Sequence, residues 1–198
     1  IATEGGKAIA IEVDVRDGRS VRDMIDEVNA TGDPVEAALF AAGIFIKGPV
    51  DAITEDDWDQ MIDTHAKGTF LCCQAAIAHM VPRGKGSIFF TGATASLRGG
   101  SGFAAFASAK FALRGLAQSM ARELGSEGIH VAHLIIDAGV DTAFVKERYR
   151  DRGIDPDELP QHTLMNPKSV GEAYWMLHNQ SRDAWSHEID LRPFREKW

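Results

Sequence analysis

Cysteine and long apolar runs are scarce in this 198-residue sequence. Its two cysteines, Cys72 and Cys73, are neighbours on a predicted helix, so their side chains diverge and do not staple the fold. No stretch is long and apolar enough to span a bilayer, and 44% hydrophobic with 25% charged residues is typical of a soluble globular domain. We therefore expect no membrane partner and a reducing, cytoplasmic location.

Positive charge is scarce as well. The 21 Lys and Arg residues are outnumbered by 29 Asp and Glu, which gives a formal net charge of -8. An acidic chain repels nucleic acid, so we expect no nucleic-acid partner. The HExxH motif and spaced cysteine sets are missing, and His130 and His133 face opposite sides of a predicted strand. The sequence therefore predicts no metal site.

What the chain does contain is a regular alternation of strand and helix patterns. The capping patterns Ser20-x-x-Asp23 and Thr54-x-x-Asp57 predict two helix starts, and the run 35–41 predicts a buried parallel strand. The alternation predicts a single α/β domain over 1–198, with a parallel sheet covered by helices on both faces. The predicted strands are 7–13, 35–41, 87–91, 129–136 and 187–191. The predicted helices are 21–30, 54–82 with a bend near 65–68, 103–124 and 167–178. We also predict a helix end at 1–6, and a loop or a set of short helices at 140–165.

The carboxyl ends of the predicted strands locate the functional edge of this sheet, because ligands of open parallel sheets bind there. These ends are Asp14 and the segments 41–43, 91–93 and 137–142. The segment 86–124 is the most informative, since it joins a short strand, a glycine-rich loop and a long helix. The helix opens with Phe106-x-x-x-Lys110, which places the ring and the amine on one helical face.

This strand, glycine-rich loop and aromatic-x-x-x-Lys helix resemble the short-chain dehydrogenase/reductase family. In that family the pattern is Tyr-x-x-x-Lys, with a catalytic Ser thirteen positions before the Tyr. Here Phe106 stands at the Tyr position, Ala93 at the Ser position, and Lys110 is kept. The sequence is similar to a divergent subgroup with Phe in place of Tyr. The resemblance implies a Rossmann-like, doubly wound sheet whose first two strands and glycine motif have no counterpart here, so we expect an N-terminally incomplete domain.

The resemblance also implies a nicotinamide cofactor, NAD or NADP. In the family an Asp after the third strand contacts adenine, a position held by Asp14, which is otherwise a solvated turn carboxylate. An Asn-Asn-Ala-Gly segment and an Asn-Pro-Gly-x-x-Thr segment line the cofactor site, and the Lys bonds the ribose. The implied cofactor-binding residues are Asp14, Ala41, Ala42, Gly43, Lys110, Gly139, Val140 and Thr142.

The catalytic positions implied by the resemblance are Lys110, His65, Phe106 and Ala93. A phenyl ring has no proton to exchange, and losing a general acid or base costs about 10² to 10⁴ in rate. His65 falls at the family's active-site Asn, where it could move a proton or be a hydrogen-bonded histidine at a helix kink. Lys110 is either a ribose ligand or a lysine on an exposed helix face.

Two functions follow from these residues. The first is an NAD(P)-dependent oxidoreductase with a degenerate catalytic tetrad, acting on a small-molecule substrate. The alternative is a non-catalytic nucleotide-binding or scaffold member of the same fold. In either case the resemblance implies a homodimer or homotetramer formed through the long helices, with 140–165 as a lid on the substrate side.

Overall fold

Four parallel strands form the centre of the computed structural model, which describes residues 5–196. The predicted helix end at 1–6 lies mostly outside these residues. Within them the sheet has the order β1-β2-β3-β4, and six α-helices surround it. The strands are β1 Ala37–Phe40, β2 Gly86–Thr91, β3 Ile129–Ile136 and β4 Glu188–Leu191; the helices are α1 Gly18–Ala30, α2 Glu55–Ile62, α3 Thr69–Met80, α4 Ala104–Leu124, α5 Ala143–Arg150 and α6 Pro167–His178.

Two apolar clusters cover the two faces of the sheet. In β2, Ile88 and Phe90 pack against α3 and α4, whereas Phe89 between them packs against α6. Successive side chains of a strand point to opposite faces, and this alternation divides the core. Each fully buried side chain of this size contributes about 1.5–3 kcal/mol by removal from water. The predicted parallel α/β sheet with helices on both faces is confirmed.

The predicted strand over 7–13 is wrong. Residues 6–14 form no strand ladder and are exposed or half-buried. An extended segment becomes a strand only when a neighbour accepts and donates its backbone hydrogen bonds. In the part of the chain that the structure describes, β1 is the edge strand and pairs only with β2, so residues 7–13 have no ladder partner.

The first strand, β1, is parallel as predicted but is not buried. Its burial alternates along the strand, and Leu39 remains 49% exposed. The apolar run 35–41 predicted a strand covered on both faces, yet within residues 5–196 only one face of β1 packs on the core. Edge position and one uncovered face together account for the difference.

The helix α1 begins three residues earlier than predicted. Its N-cap is Asp17, whose side chain accepts a hydrogen bond from the Arg19 backbone N–H. The hydroxyl of Ser20 instead accepts from the Asp14 N–H over 2.9 Å, so the predicted capping box at Ser20 is wrong. An acidic side chain one residue before the helix satisfies the free N–H groups of the first turn more directly.

The predicted bend in helix 54–82 is a π-helical segment, Asp63–Gly68, between α2 and α3. The capping box of Thr54 and Asp57 at the start of α2 is confirmed. A π-helical turn contains an extra residue and displaces the side chains that follow it, and such turns are frequent at functional sites. Here it brings the buried His65 toward the carboxyl edge of the sheet.

The long helix α4 buries one stripe of apolar residues against the sheet, as its periodicity predicts. After β3 the chain forms α5 and a short 3-10 turn at Pro156–Glu158, and a bridge between Val140 and Met165 closes this segment. Short helices therefore occupy much of 140–165. Both Cys72 and Cys73 are free and buried on α3, and no helix within residues 5–196 has the length and apolar character needed to cross a membrane.

Candidate active site

A cavity of about 890 Å³ opens at the carboxyl ends of β2 and β3. Its floor is the end of β2 and the first turns of α4, and its sides are the π-helical segment and α5. This is the edge where parallel sheets place their ligands. Among its lining residues are the predicted site positions Gly43, His65, Ala93, Phe106, Lys110, Gly139 and Val140.

Lys110 lies at the base of the cavity and is only 7% exposed. Its Nζ donates a hydrogen bond to the backbone carbonyl of Thr91 over 2.9 Å. Burial lowers the pKa of Lys110 to about 8, because a charged amine loses its hydration there. The alternative prediction of a lysine on an exposed helix face is therefore wrong, and the amine belongs to the cavity.

The Phe106 ring lies one helical turn before Lys110 and fills the space between three neighbours. Its centroid is 5.7 Å from the Lys110 amine, 5.7 Å from the His65 ring and 4.9 Å from the Phe45 ring. Both aromatic contacts are edge-to-face, an arrangement that the charge distribution of the rings favours. The ring therefore occupies the middle of the site but supplies no hydrogen-bond donor.

Neighbouring hydroxyl groups do not replace the one that Ala93 lacks. The Ser96 hydroxyl is fully buried and accepts a hydrogen bond from the Ala93 N–H. The Thr94 hydroxyl donates to the carboxylate of Asp137, which also pairs with Arg192. Both hydroxyls therefore form hydrogen bonds within the protein and do not take the place of the missing Ser hydroxyl.

His65 is buried against the upper wall of the cavity. Its Nε2 lies 2.8 Å from the Ile44 carbonyl oxygen, which can only accept, so Nε2 carries the proton and Nδ1 is the bare nitrogen. Burial, and next the charge of Lys110, lower the pKa of His65 to about 4. A Cβ at Gly43 would lie 2.5 Å from the His65 ring, so only glycine allows this close approach. His65 is therefore a neutral imidazole at physiological pH.

The loop after β3 forms the opposite wall through Gly139 and Val140. The Gly139 carbonyl accepts from the Met165 N–H over 2.9 Å, which ties this wall to the end of the lid segment. A Cβ at Gly139 would lie 2.9 Å from the Leu164 side chain. Thr142 does not line the cavity, since its hydroxyl accepts from the Val145 N–H and caps α5.

Three other sequence-predicted positions lie outside the cavity lining: Asp14, Ala41 and Ala42. The Asp14 carboxylate is exposed and accepts hydrogen bonds from the backbone and guanidinium of Arg16. These bonds lower the pKa of Asp14 to about 2. Their assignment to cofactor binding stays a prediction.

The sequence did not indicate the aromatic and cationic wall of the cavity, to which α5 contributes two residues, Phe144 and Arg148. Phe45, Phe103 and Phe144 line the cavity together with Arg98 and Arg148. The guanidinium of Arg148 stacks 3.9 Å from the Phe45 ring centroid. The available signal was the spacing of Phe144 and Arg148, which share a face of a short helix.

Metal chemistry has no candidate site in the described part of the chain. No group of three His, Cys, Asp or Glu side chains comes together within residues 5–196. His130 stacks on Trp185, and His133 contacts Glu188 through Nδ1, so the two histidines of β3 serve different faces of the sheet.

Sequence comparison places the chain among known proteins. The family model for short chain dehydrogenases matches residues 1–153. The chain therefore belongs to the short-chain dehydrogenase/reductase family. A 3beta-hydroxysteroid dehydrogenase of Mediterraneibacter gnavus is 29% identical over 176 residues, which cover 83% of this chain and 63% of that protein. A 3-oxoacyl-(acyl-carrier-protein) reductase of Staphylococcus epidermidis is 33% identical over 131 residues, 66% of this chain and 54% of that protein.

Solved structures share the fold over nearly the whole chain. A short-chain dehydrogenase from Rhodopseudomonas palustris is 37% identical, with a TM-score of 0.79 over 98% of this chain and 78% of that one. The closed form of serine dehydrogenase complexed with NADP+ is 22% identical, with a TM-score of 0.81 over 94% of this chain and 76% of that one. The chain thus spans roughly half to four fifths of the length of these four proteins.

Proposed function

We propose that this protein is an NAD(P)-dependent oxidoreductase that interconverts a small-molecule alcohol and its carbonyl compound. The observation that carries the proposal is the buried amine of Lys110 at the base of the cavity, on the carboxyl edge of the sheet. Burying a cation costs desolvation free energy unless the charge is paired or hydrogen-bonded. Titratable groups perturbed by burial in a cleft are therefore candidates for a functional site. Membership of a dehydrogenase family supports the same reaction class.

The cavity residues fit a nicotinamide nucleotide. An ammonium has three N–H donors, and the Thr91 carbonyl engages one of them, which leaves donors for ribose hydroxyls. Gly43, Gly139 and Val140 also line this largely apolar cavity, and their small or apolar side chains leave room for a flat ring. A bound nicotinamide supplies or accepts the hydride. Structures of this fold with NADP+ bound support the choice of cofactor, and NAD or NADP both remain within the proposal.

Within this reaction Lys110 holds the proton that the substrate oxygen gains or loses. Phe106 has no exchangeable proton, and His65 is neutral above its pKa of about 4. Burial sets the pKa of Lys110 to about 8, so at neutral pH the amine is protonated yet can release its proton at modest cost. The bare Nδ1 of His65 supplies an acceptor on the other side of the Phe106 ring.

A second function, binding without turnover, is supported by the packing of Phe106 itself. Its ring makes edge contacts with both His65 and Phe45, as a core aromatic residue does. With Ala93 beside it, both family hydroxyls are replaced by apolar groups. A nucleotide-binding or scaffold protein needs no proton donor at this position.

Calorimetric titration with NADH and NADPH, followed by turnover assays on a panel of alcohols and ketones, separates these functions. We expect binding of one cofactor, and turnover that is lost in Lys110→Met. Lys168→Met, an exposed lysine on α6, is the matched control and should behave like the parent protein. Cofactor binding with no turnover across the panel would favour the non-catalytic function. Absence of cofactor binding would contradict the oxidoreductase and would leave only a scaffold role without a nucleotide.

Assembly into a homodimer or homotetramer is part of the same proposal. The family resemblance pairs long helices with those of a neighbouring subunit. Phe70 on α3 and Phe111 on α4 are each 44% exposed, which is unusual for phenylalanine on a solvated helix face. Their burial between subunits would remove this apolar surface from water.

A further inference from the structure

We propose that the substrate carries a carboxylate at one end of an apolar body, and that Arg148 recognises this carboxylate. The inference rests on the proposed function, because it concerns the same cavity. It is carried by three observations: the composition of the cavity wall, the charge of its lining residues and the surroundings of Arg148.

The wall is apolar over most of its surface. Four phenylalanines line it, and Ile44, Ile136, Val140 and Val145 fill the gaps between them. A cavity of about 890 Å³ with such a wall removes the body of an aliphatic or aromatic compound from water. The substrate therefore has a substantial apolar part rather than a sugar-like surface of hydroxyls.

The charged lining residues are all cations. Arg98, Lys110 and Arg148 line the cavity, and no Asp or Glu is among its lining residues in the described chain. This is the reverse of the whole protein, whose formal net charge is -8. A cationic cavity in an acidic protein favours an anion over a neutral or cationic ligand. The proposed function assigns Lys110 to the ribose and the reacting oxygen, so the anionic end of the substrate belongs to Arg98 or Arg148.

Arg148 is the better placed of the two arginines, since Arg98 is exposed. The Arg148 guanidinium is half-buried on Phe45 at 3.9 Å and lies 5.8 Å from the Phe144 ring centroid. Burial, and next the charge of Arg152, lower the pKa of Arg148, so the group is desolvated without a compensating anion. Within residues 5–196 no carboxylate lies at ion-pair distance from it, whereas Arg150 on the same helix pairs with Glu147.

Stacking determines which part of Arg148 is free to bind. The Arg148 Cζ lies over the Phe45 ring, 3.9 Å from its centroid. A guanidinium that packs on an aromatic face still has N–H donors along its edge. That edge is the part that donates two parallel hydrogen bonds to a carboxylate. Contact with Phe45 therefore leaves the guanidinium able to bind a carboxylate through its edge.

Octanoate and octanamide are suitable probes, because they share an apolar body and differ in charge. We expect octanoate to bind the parent protein about tenfold tighter than octanamide in calorimetric titrations, as a charge-assisted hydrogen bond predicts. Arg148→Met should abolish this preference and leave octanamide affinity within about twofold, because the methionine keeps the apolar contact with Phe45. Arg150→Met, the control on the same helix, should keep the parent preference. Arg148→Lys, which keeps the charge, should retain part of it.

Equal affinities of the parent for the two probes would overturn the proposal, as would an Arg148→Met protein that still prefers octanoate. NADPH affinity of the Arg148 variants is measured in parallel. If it falls while the octanoate preference stays, Arg148 binds a cofactor phosphate instead. If the parent binds no nicotinamide cofactor yet prefers octanoate, the proposed function fails and the carboxylate site stands.

Discussion

The Lys110 amine lies 5.7 Å above the Phe106 ring, one turn along the same face of α4. A buried cation thus lies beside a ring that has no hydroxyl, and both line the cavity. Because the ring cannot exchange a proton, the titratable groups around it are Lys110 and His65. Burial lowers the pKa of both, to about 8 and about 4 respectively. Proton transfer in the site therefore depends on the two pKa values that burial sets.

Restoring the family hydroxyls should raise the turnover rate. In Phe106→Tyr with Ala93→Ser, a phenol lies beside the Lys110 amine, whose charge favours the phenolate and makes proton transfer easier. We expect kcat to rise by about 10² to 10⁴, the usual contribution of a positioned acid or base. Phe103→Tyr, another ring of the cavity wall, is the control for a merely more polar pocket. An equal rise in the control would contradict a specific role for position 106.

The pH dependence of stability reports the burial of Lys110 directly. Its pKa falls from 10.5 to about 8 on folding, so between these values the unfolded chain binds more protons and stability rises with pH. Relative to Lys110→Met, the free energy of unfolding of the parent should rise by about 3 kcal/mol between pH 7.5 and 10.5. Urea denaturation across this range measures it. A difference that stays constant with pH would show that the amine is hydrated in the folded protein.

The sheet could be predicted from the sequence because the local composition of its inner strands, β2 and β3, is typical of strands. The segments of β2 and β3 are rich in β-branched and aromatic residues, and strands at these positions follow from that pattern. Strand 7–13 has an equally good local pattern, but a strand also needs a ladder partner, which local sequence does not reveal. The same limit explains why β1 looks buried in the sequence and is half-exposed in the fold.

The candidate site could likewise be predicted from the sequence only in part. Lys110 and Phe106 share one helix, so their relation follows from spacing. The closeness of His65 to Gly43 depends on a π-helical turn, which has no reliable sequence signal. The stacking of Arg148 on Phe45 joins residues about a hundred positions apart, so only the folded chain brings them together.

Acid should destabilise the protein through His65. Its pKa falls from 6.5 to about 4 on folding, so the unfolded chain binds the proton more readily between these values. Relative to His65→Gln, which keeps a donor for the Ile44 carbonyl, the parent should lose about 3 kcal/mol of stability as pH falls from 6.5 to 4. His162→Asn, an exposed histidine in a left-handed turn, should show the parent's pH dependence. A parent whose stability follows that of His65→Gln would mean that folding does not lower the pKa of His65.

Gly43→Ala should displace the His65 ring. The new Cβ would lie 2.5 Å from its Cε1, too close for any side-chain contact, so the ring must move and weaken its bond to the Ile44 carbonyl. We expect a loss of about 1–3 kcal/mol in unfolding free energy, typical of overpacking in a core. Gly115→Ala is the control: nothing lies within 4 Å of its Cβ, and alanine there should stabilise α4 by about 0.5–1 kcal/mol. Thermal melts of both variants test the contrast.

Charge on the outer face of α4 should disrupt assembly. Phe111 is 44% exposed, and a carboxylate there would have to be buried without a partner if this face packs against a second subunit. We expect the parent protein to elute as a homodimer or homotetramer in size-exclusion chromatography with light scattering, and Phe111→Glu to shift to a smaller species. Val50→Glu adds the same charge at a loop position that is 76% exposed and should leave the assembly intact. A monodisperse monomer for the parent would contradict this role, since no subunit would then cover the ring.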